Sequence, residues 1–343
     1  MLKLLVENFY TKAAVCLGIV GALFLLAGCG GGGSGAPPTL NYTGVTTPVL
    51  INADNVDNLL TGVYQGEQTA AVFNIFGAVE GGSTNPLKTS EMLTLAEELA
   101  AFLNVLDIKP PESRPYAGAI LSDSDTLYGS CGGSVYYDVG LDSLFGEFSG
   151  TADFRMYCDA SNPDLVLDGS TDFSGDYEIF SQEIDDFTFI FRDLAGITSQ
   201  GSYTLNGSLH GNVSAARTDV TTTSVVKDDG TGKTYWLKDF RVTAVKGVNF
   251  VDITVAGRYY DYDYGYVDVS TEEPLRVYED DDWPASGVLF LTGAEGDAGG
   301  YTKARMEVLD ADSYQIDVDD DGDGAFDNYN SGPLSWSDIG SAG

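Results

Sequence analysis

"DDFTFIFRD", residues 185–193, decides how the rest of the chain is read. Phe187, Phe189 and Phe191 fall on alternate positions, beside the polar Thr188 and Arg192. A period of two puts the three rings on one face of a β-strand and the polar residues on the other. The same alternation returns at Tyr203 and Leu205, against Ser202 and Thr204, and at Val251, Ile253 and Val255, against Asp252 and Thr254. From about Gly129 to residue 320 the pattern predicts about a dozen strands, joined by polar turns such as "KDDGTGK" (227–233) and "LDADS" (309–313). No helical pattern of a dozen residues interrupts them, so parallel βαβ units are not expected. The fold class is mainly β: an antiparallel curved sheet, sandwich or open barrel. A glycine two positions after an apolar-x-apolar pair recurs in "LVLDGS" (165–170), "YTLNGS" (203–208), "ITVAGR" (253–258) and "LFLTGA" (289–294). Glycines at such places mark bulges or bends, which implies long strands curving together.

Upstream the period changes. In "NADNVDNLLTGVYQG" (52–66), Val56, Leu59, Leu60 and Val63 have helical spacing, with Asn52 or Asp54 available as N-cap. In "TSEMLTLAEELAAFLNVLDI" (89–108), Met92, Leu95, Ala96, Leu99, Phe102, Leu103 and Leu106 form one stripe, Thr89 or Ser90 can cap, and Pro110 and Pro111 end the pattern. Two amphipathic helices packed on the sheet are expected. Between them "TAAVFNIFGAV" (69–79) is apolar without a clear period and leaves a longer first helix or a strand open. The chain therefore divides into a helical N-terminal part, 45–115, and an antiparallel β domain, 116–343.

Charge limits the partners. With 52 acidic against 17 basic residues and a net charge of -35, the protein repels nucleic acid and attracts cations. A single histidine, His210, on the polar side of its strand, excludes metal sites built on several histidines, and neither HExxH nor GxSxG is present. Carboxylate pairs are too abundant to single one out for glycoside chemistry. A non-enzymatic protein is expected.

The first residues, "MLKLLVENFYTKAAVCLGIVGALFLLAGC", place Lys3 and Lys12 before an apolar run from Ala13 to Leu26, the length of a signal-peptide core. The run ends in Leu26, Ala27, Gly28 and Cys29. This resembles the lipobox of bacterial lipoproteins, which implies a signal peptide over 1–28, a lipidated Cys29 and attachment to a membrane. Gly30 rather than Asp after the cysteine implies, in the same family, delivery to the outer membrane of the cell envelope. "GGGGSGAPP" follows and reads as a flexible tether within 29–44. Cys16 goes with the leader and Cys29 with the lipid, leaving Cys131 and Cys158, 27 positions apart. In an oxidising compartment these are expected to form a disulfide.

Two further stretches carry candidate sites. "RYYDYDYGYVDVS" (258–270) has Tyr260, Tyr262, Tyr264 and Tyr266 on alternate positions. On one strand they would line one face, either as a ligand platform that stacks sugar rings or as packed aromatic core. "DDDGDGAFD" (319–327) reads D-x-D-x-D-G-x-x-D, with Asp319, Asp321 and Asp323 at positions 1, 3 and 5 and Gly324 at 6. Ala325 at 7 offers its backbone carbonyl, Phe326 is the apolar position 8, and Asp327 falls at 9. Alternate aspartates in a tightly turning loop converge on one point, where their oxygens hold a hard cation. The spacing resembles the calcium loop of EF-hands and dockerin-type modules, which implies calcium as the bound ion. The match covers 319–330. Position 12 is Asn330 rather than Glu, and Tyr314, Ile316 and Val318 before the loop alternate as in a strand, so the resemblance implies the ion and not the EF-hand fold. A start at Asp317 would leave Asp327 out and put Ala325 at position 9.

Together these readings predict an outer-membrane lipoprotein with a calcium-stabilised β domain, in envelope structure or contact with an external protein or glycan. A binding module for an apolar or carbohydrate ligand is the alternative, and a carboxylate-dependent hydrolase a third.

Overall fold

A strand with one apolar face cannot stand alone, and the chain solves this by repeating hairpins until one continuous face is buried. The computed structural model describes residues 41–64, 103, 120–142, 146–159, 162–178, 183–197, 201–281 and 283–336. One helix, α1 (Val56–Tyr64), precedes a single 15-stranded antiparallel sheet. Its strands are β1 (Ile120–Tyr128), β2 (Gly132–Asp142), β3 (Glu147–Asp159), β4 (Asn162–Glu178), β5 (Glu183–Ile197), β6 (Ser202–Val213), β7 (Arg217–Asp228) and β8 (Thr234–Lys246). They continue as β9 (Phe250–Asp261), β10 (Gly265–Tyr278), β11 (Ser286–Glu295), β12 (Tyr301–Asp310), β13 (Ser313–Asp319), β14 (Tyr329–Asn330) and β15 (Leu334–Ser335). Neighbours in sequence are neighbours in the sheet from β1 to β14, and β15 returns to β13. The sheet is open, and its two turns named from sequence lie where expected, between β7 and β8 and between β12 and β13.

The inner face forms the core. Phe187, Phe189 and Phe191 on β5 are fully buried, and Phe173 and Phe148 on β4 and β3 extend the row with centroids 5.9 Å from Phe173 to Phe189 and 6.3 Å from Phe148 to Phe173. Rings this large need space on the adjacent strand, and glycines supply it: Phe148 lies opposite Gly175, Phe173 opposite Gly150 and Phe187 opposite Gly211. The outer face carries the charges. Arg276 is paired across strands with Asp252 (2.7 Å) and Arg305 with Asp317 (2.7 Å), and Arg192 reaches Asp172 (2.8 Å). His210 is on this face too, exposed and 3.3 Å from the Thr188 hydroxyl.

The recurring glycines mark irregularities as expected. Gly169, Gly207 and Gly257 have positive φ, and Met156, Asp193 and Asp239 on neighbouring strands form bulges with φ near +50°. Each bulged N–H finds a side-chain acceptor next door: Asp168 for Met156, Asn206 for Asp193 and Thr223 for Asp239. These bulges bend the strands and let the sheet curl. Gly293 is not among the positive-φ glycines and instead makes room for the Val49 carbonyl.

Three expectations need correction or lie beyond the described residues. Alternation begins at Gly129 in the sequence, but among the described residues the sheet begins at Ile120, because the edge strand β1 reads "ILSDSDTLY" and has no apolar face to announce it. The first helix is α1, capped by Asn52: its carboxamide oxygen accepts the Asp54 N–H (3.0 Å), while Asn55 reaches back to the Asn52 N–H (3.0 Å). Of the second helix only Leu103 lies among the described residues, helical and fully buried; "TAAVFNIFGAV" lies outside them.

The N-terminal segment is woven into the sheet and does not merely rest on it. β10 and β11 pair from Asp268↔Thr292 onward, but beyond that pair their ends, Gly265–Val267 and Gly293–Glu295, diverge. Residues 47–49 fill the split. Tyr266 donates to the Thr47 carbonyl (3.0 Å) and accepts from the Val49 N–H (3.0 Å), while Ala294 donates to the Val49 carbonyl (2.6 Å). The close fit excludes side chains at Gly265 and Gly293, where a Cβ would lie 2.2 Å from the Thr47 and Val49 carbonyls. Upstream, Tyr42 lies on the outer face against Trp236 and Tyr260. Downstream, α1 lies on the inner face, with Gly62 against the Tyr259 hydroxyl. The segment thus passes from outside to inside, and Val49, Ile51, Val56, Leu59 and Leu60 are buried in the core.

The Cys131–Cys158 disulfide is present, with Cα atoms 5.3 Å apart. It ties the β1–β2 turn to the end of β3 and, by the chain-entropy model, closes a loop worth roughly 3 to 4 kcal/mol.

The outer-face charges give a pH dependence. Hydrogen bonding from Arg217 holds the Asp219 carboxyl down at about 2, opposed by partial burial and helped by the Thr243 hydroxyl and the charges of Arg217 and Arg241. A folded pKa below the unfolded one contributes stability that is full above about pH 4 and is lost as pH falls through about 2. After discounting for solvent screening the contribution is about 1 kcal/mol. Asp219→Asn should therefore lower stability by about that much at pH 7 in urea unfolding and make little difference near pH 2; an equal loss at both values would contradict the assignment.

Candidate functional site

The acidic stretch forms the connection between β13 and β14. Asp317↔Asn330 and Val318↔Tyr329 close its base, so the loop is a strand-to-strand hairpin and not a helix-loop-helix. Asp319, the last residue of β13, is fully buried and accepts the N–H groups of Gly322 (2.8 Å) and Gly324 (2.9 Å). Asp321 accepts from Asp323 (3.1 Å), and Asp323 from Ala325 (2.7 Å). These successive Asx turns wind the loop tightly, with Gly322 and Gly324 at positive φ where the chain reverses. As a result one carboxylate oxygen each from Asp319, Asp321 and Asp323 lie within 4.8 Å of one another.

The remaining residues of the sequence pattern are placed differently. Ala325 and Asp327 are exposed, and Asp327 is not in the carboxylate group. Asn330, at position 12, turns away: its amide donates to Asp317 and its oxygen accepts from Gly332 (2.8 Å). Phe326 folds back over the outer face, 5.9 Å from Phe290 and under the Arg305 guanidinium. The loop also docks sideways. Ala298, in the β11–β12 turn, donates to the Asp321 carbonyl (2.8 Å), and Gly300 abuts Gly322 so closely that neither position has room for a Cβ. Sequence spacing located the carboxylates; it held no signal for the neighbouring turn "EGDAGG" (295–300) on which the loop rests.

The four tyrosines do not form a row. β9 ends at Asp261 and the chain turns through 262–264, where the Asp261 carboxylate accepts the N–H groups of Asp263 (2.8 Å) and Tyr264 (3.1 Å). Burial raises the Asp261 carboxyl above the ordinary carboxylate range, and those two N–H groups act against it. Tyr260 and Tyr266 consequently face each other across the hairpin at 5.1 Å. Trp236 stacks on Tyr260 at 4.4 Å, Tyr42 covers both, and the Arg258 guanidinium lies 3.9 Å over the Tyr266 ring. Tyr262 lies under Lys233, and the Tyr264 hydroxyl accepts from Asn58 (3.0 Å). The rings serve to hold the N-terminal segment on the sheet, with the Tyr42 hydroxyl bonded to the carbonyls of Asp261 (2.7 Å) and Val45 (2.9 Å).

Cys29 and the signal-peptide stretch lie outside the described residues. Among the described residues no helix is long and apolar enough to cross a membrane. Comparison with protein-family models, with curated proteins and with solved structures returned no match.

Burial separates the aspartates energetically. Replacing Asp319 removes the acceptor of two backbone N–H groups, whereas Asp323 is exposed and serves one. In metal-free buffer Asp319→Ala should cost roughly 2 to 4 kcal/mol by denaturant unfolding, and Asp323→Ala less than about 1 kcal/mol. Equal losses would show that the loop is not organised around Asp319.

Proposed function

We propose that the chain is a bacterial outer-membrane lipoprotein, anchored through Cys29, whose β sheet is stabilised by calcium in the 319–330 loop and which acts without catalysis in envelope structure or in contacts with external partners. The observation that carries the reading is the convergence of Asp319, Asp321 and Asp323 at the end of β13, in a loop whose spacing resembles that of a calcium loop. Three carboxylates this close repel one another, and a divalent cation reverses the sign of that interaction. The Ala325 carbonyl and water would complete the oxygen shell. The ion's role is structural: it holds the end of β13 to the returning strands β14 and β15 and so to Trp336, which is buried against Tyr314 at 4.5 Å. The lipobox supports the location, and the acidic composition suits a calcium-containing exterior.

Without the position-12 glutamate the dissociation constant is expected at roughly 0.1 to 1 mM. At about 1 mM free calcium and a constant near 0.1 mM, linkage adds about 1.4 kcal/mol. Thermal unfolding with calcium and with chelator should show that gain in wild type and lose it in Asp321→Ala/Asp323→Ala. An equal response in both chains would overturn the calcium assignment. Labelling with a radiolabelled fatty acid that persists in Cys29→Ser would overturn the anchor.

A further inference from the structure

We propose that residues 45–49 are a removable wedge, and that β10 and β11 zip together along three further residue pairs when it leaves. The inference depends on neither the lipid anchor nor calcium. It rests on a hydrogen-bond exchange that the sheet already prepares.

The established register pairs Thr271 with Leu289, Ser270 with Phe290, Val269 with Leu291 and Asp268 with Thr292. Continued without a shift, it pairs Val267 with Gly293, Tyr266 with Ala294 and Gly265 with Glu295. Those residues are the ones the wedge now separates. Tyr266 gives its N–H to Thr47 and its carbonyl to Val49, and Ala294 gives its N–H to Val49. In the continued ladder Tyr266 and Ala294 would exchange these same groups with each other. Departure of the wedge therefore leaves no strand N–H without an acceptor. The Ala294 carbonyl, now bonded by the Thr302 hydroxyl (3.1 Å), would take the Tyr266 N–H. The Thr302 hydroxyl also accepts the Ile51 N–H (3.2 Å), which ties the chain just past the wedge to β12 in both arrangements.

Geometry permits the exchange. The split is at the sheet's end, where Gly265 opens β10 and Glu295 closes β11, so the segment can lift over the end without unthreading. What opposes release is side-chain burial at Val49, the Val45 N–H bonded to the Tyr262 carbonyl (3.1 Å), the Thr43 N–H bonded to the Thr234 hydroxyl (2.9 Å) and the lodging of Tyr42 against Trp236 and Tyr260, while the side chains of Val45, Thr46, Thr47 and Pro48 are exposed. The core beyond Ile51, including α1, keeps its place in both arrangements. The device is thus a two-state strand exchange at one end of the sheet, with the tyrosine as its catch. On the lipoprotein reading, release also lengthens the tether by the freed residues.

The test uses native-state hydrogen exchange on the full chain. In release, Val49 loses the acceptor of its N–H, whereas Ala294 and Tyr266 trade one acceptor for another. Val49 should exchange at least tenfold faster than Ala294 and Tyr266, and Tyr42→Ala should accelerate Val49 alone. Equal rates at the three amides would overturn the proposal, since the wedge would then leave only when the sheet itself opens. Disulfide trapping with oxidised glutathione gives a second readout. A Tyr266→Cys/Ala294→Cys pair is directly opposite after zipping, about 5.5 Å between Cα atoms, but about 10 Å apart with a strand between, beyond disulfide reach. Peptide mapping should find the new bridge in this chain, as in an Asp268→Cys/Thr292→Cys control; its absence while the control forms would also overturn the proposal.

Discussion

Everything in this fold depends on covering one apolar face of a sheet that does not close. An open antiparallel meander offers its inner residues no second sheet to pack on, so it must curl and must be filled. Bulges at Met156, Asp193 and Asp239 provide the curl. Phenylalanines set over glycines fill part of the interior, and Val49, Ile51, Val56, Leu59, Leu60 and Leu103 fill more of it from the N-terminal side. At about 1.5 to 3 kcal/mol for each fully buried aliphatic side chain, those six contribute on the order of 10 kcal/mol. That equals the net stability of a typical domain, about 5 to 15 kcal/mol. The N-terminal segment is therefore a structural part of the sheet.

The β11–β12 turn touches both the N-terminal segment and the acidic loop. On one side Ala294 and Thr302 hold the wedge; on the other Ala298 and Gly300 receive the acidic loop. Ala294 and Thr302 are only eight positions apart, so the wedge and the acidic loop rest on the same short, tightly bonded turn. The tyrosines complete the arrangement: the Tyr260–Tyr266 hairpin is the surface on which Tyr42 rests.

The sequence made the sheet legible wherever strands have one wet face, as at Phe187, Phe189 and Phe191, and hid it where they do not. β1 is polar on both faces and carries no alternation. The wedge was illegible for a different reason: "GVTTPVLIN" has no periodicity, and its place is set by a gap between two strands more than 200 residues later. In the tyrosine stretch the turn has a local signal, because Asp261 two residues before Asp263 and four before Gly265 is an Asx-turn pattern, but the alternating tyrosines overlie it. The carboxylate cluster was legible because metal-loop spacing is local, while Asn330, which turns to Asp317, reflects a strand pairing that spacing does not encode.

The β sheet needs the N-terminal segment to exist as a folded unit, a dependence that can be measured by comparing the chain from residue 41 with one beginning at residue 116, both ending at 343, in denaturant unfolding followed by near-ultraviolet circular dichroism. A cooperative transition is expected for the longer chain and none for the shorter, which would keep β-rich signal without fixed aromatic packing. A shorter chain that unfolds cooperatively with the same midpoint and slope would contradict it.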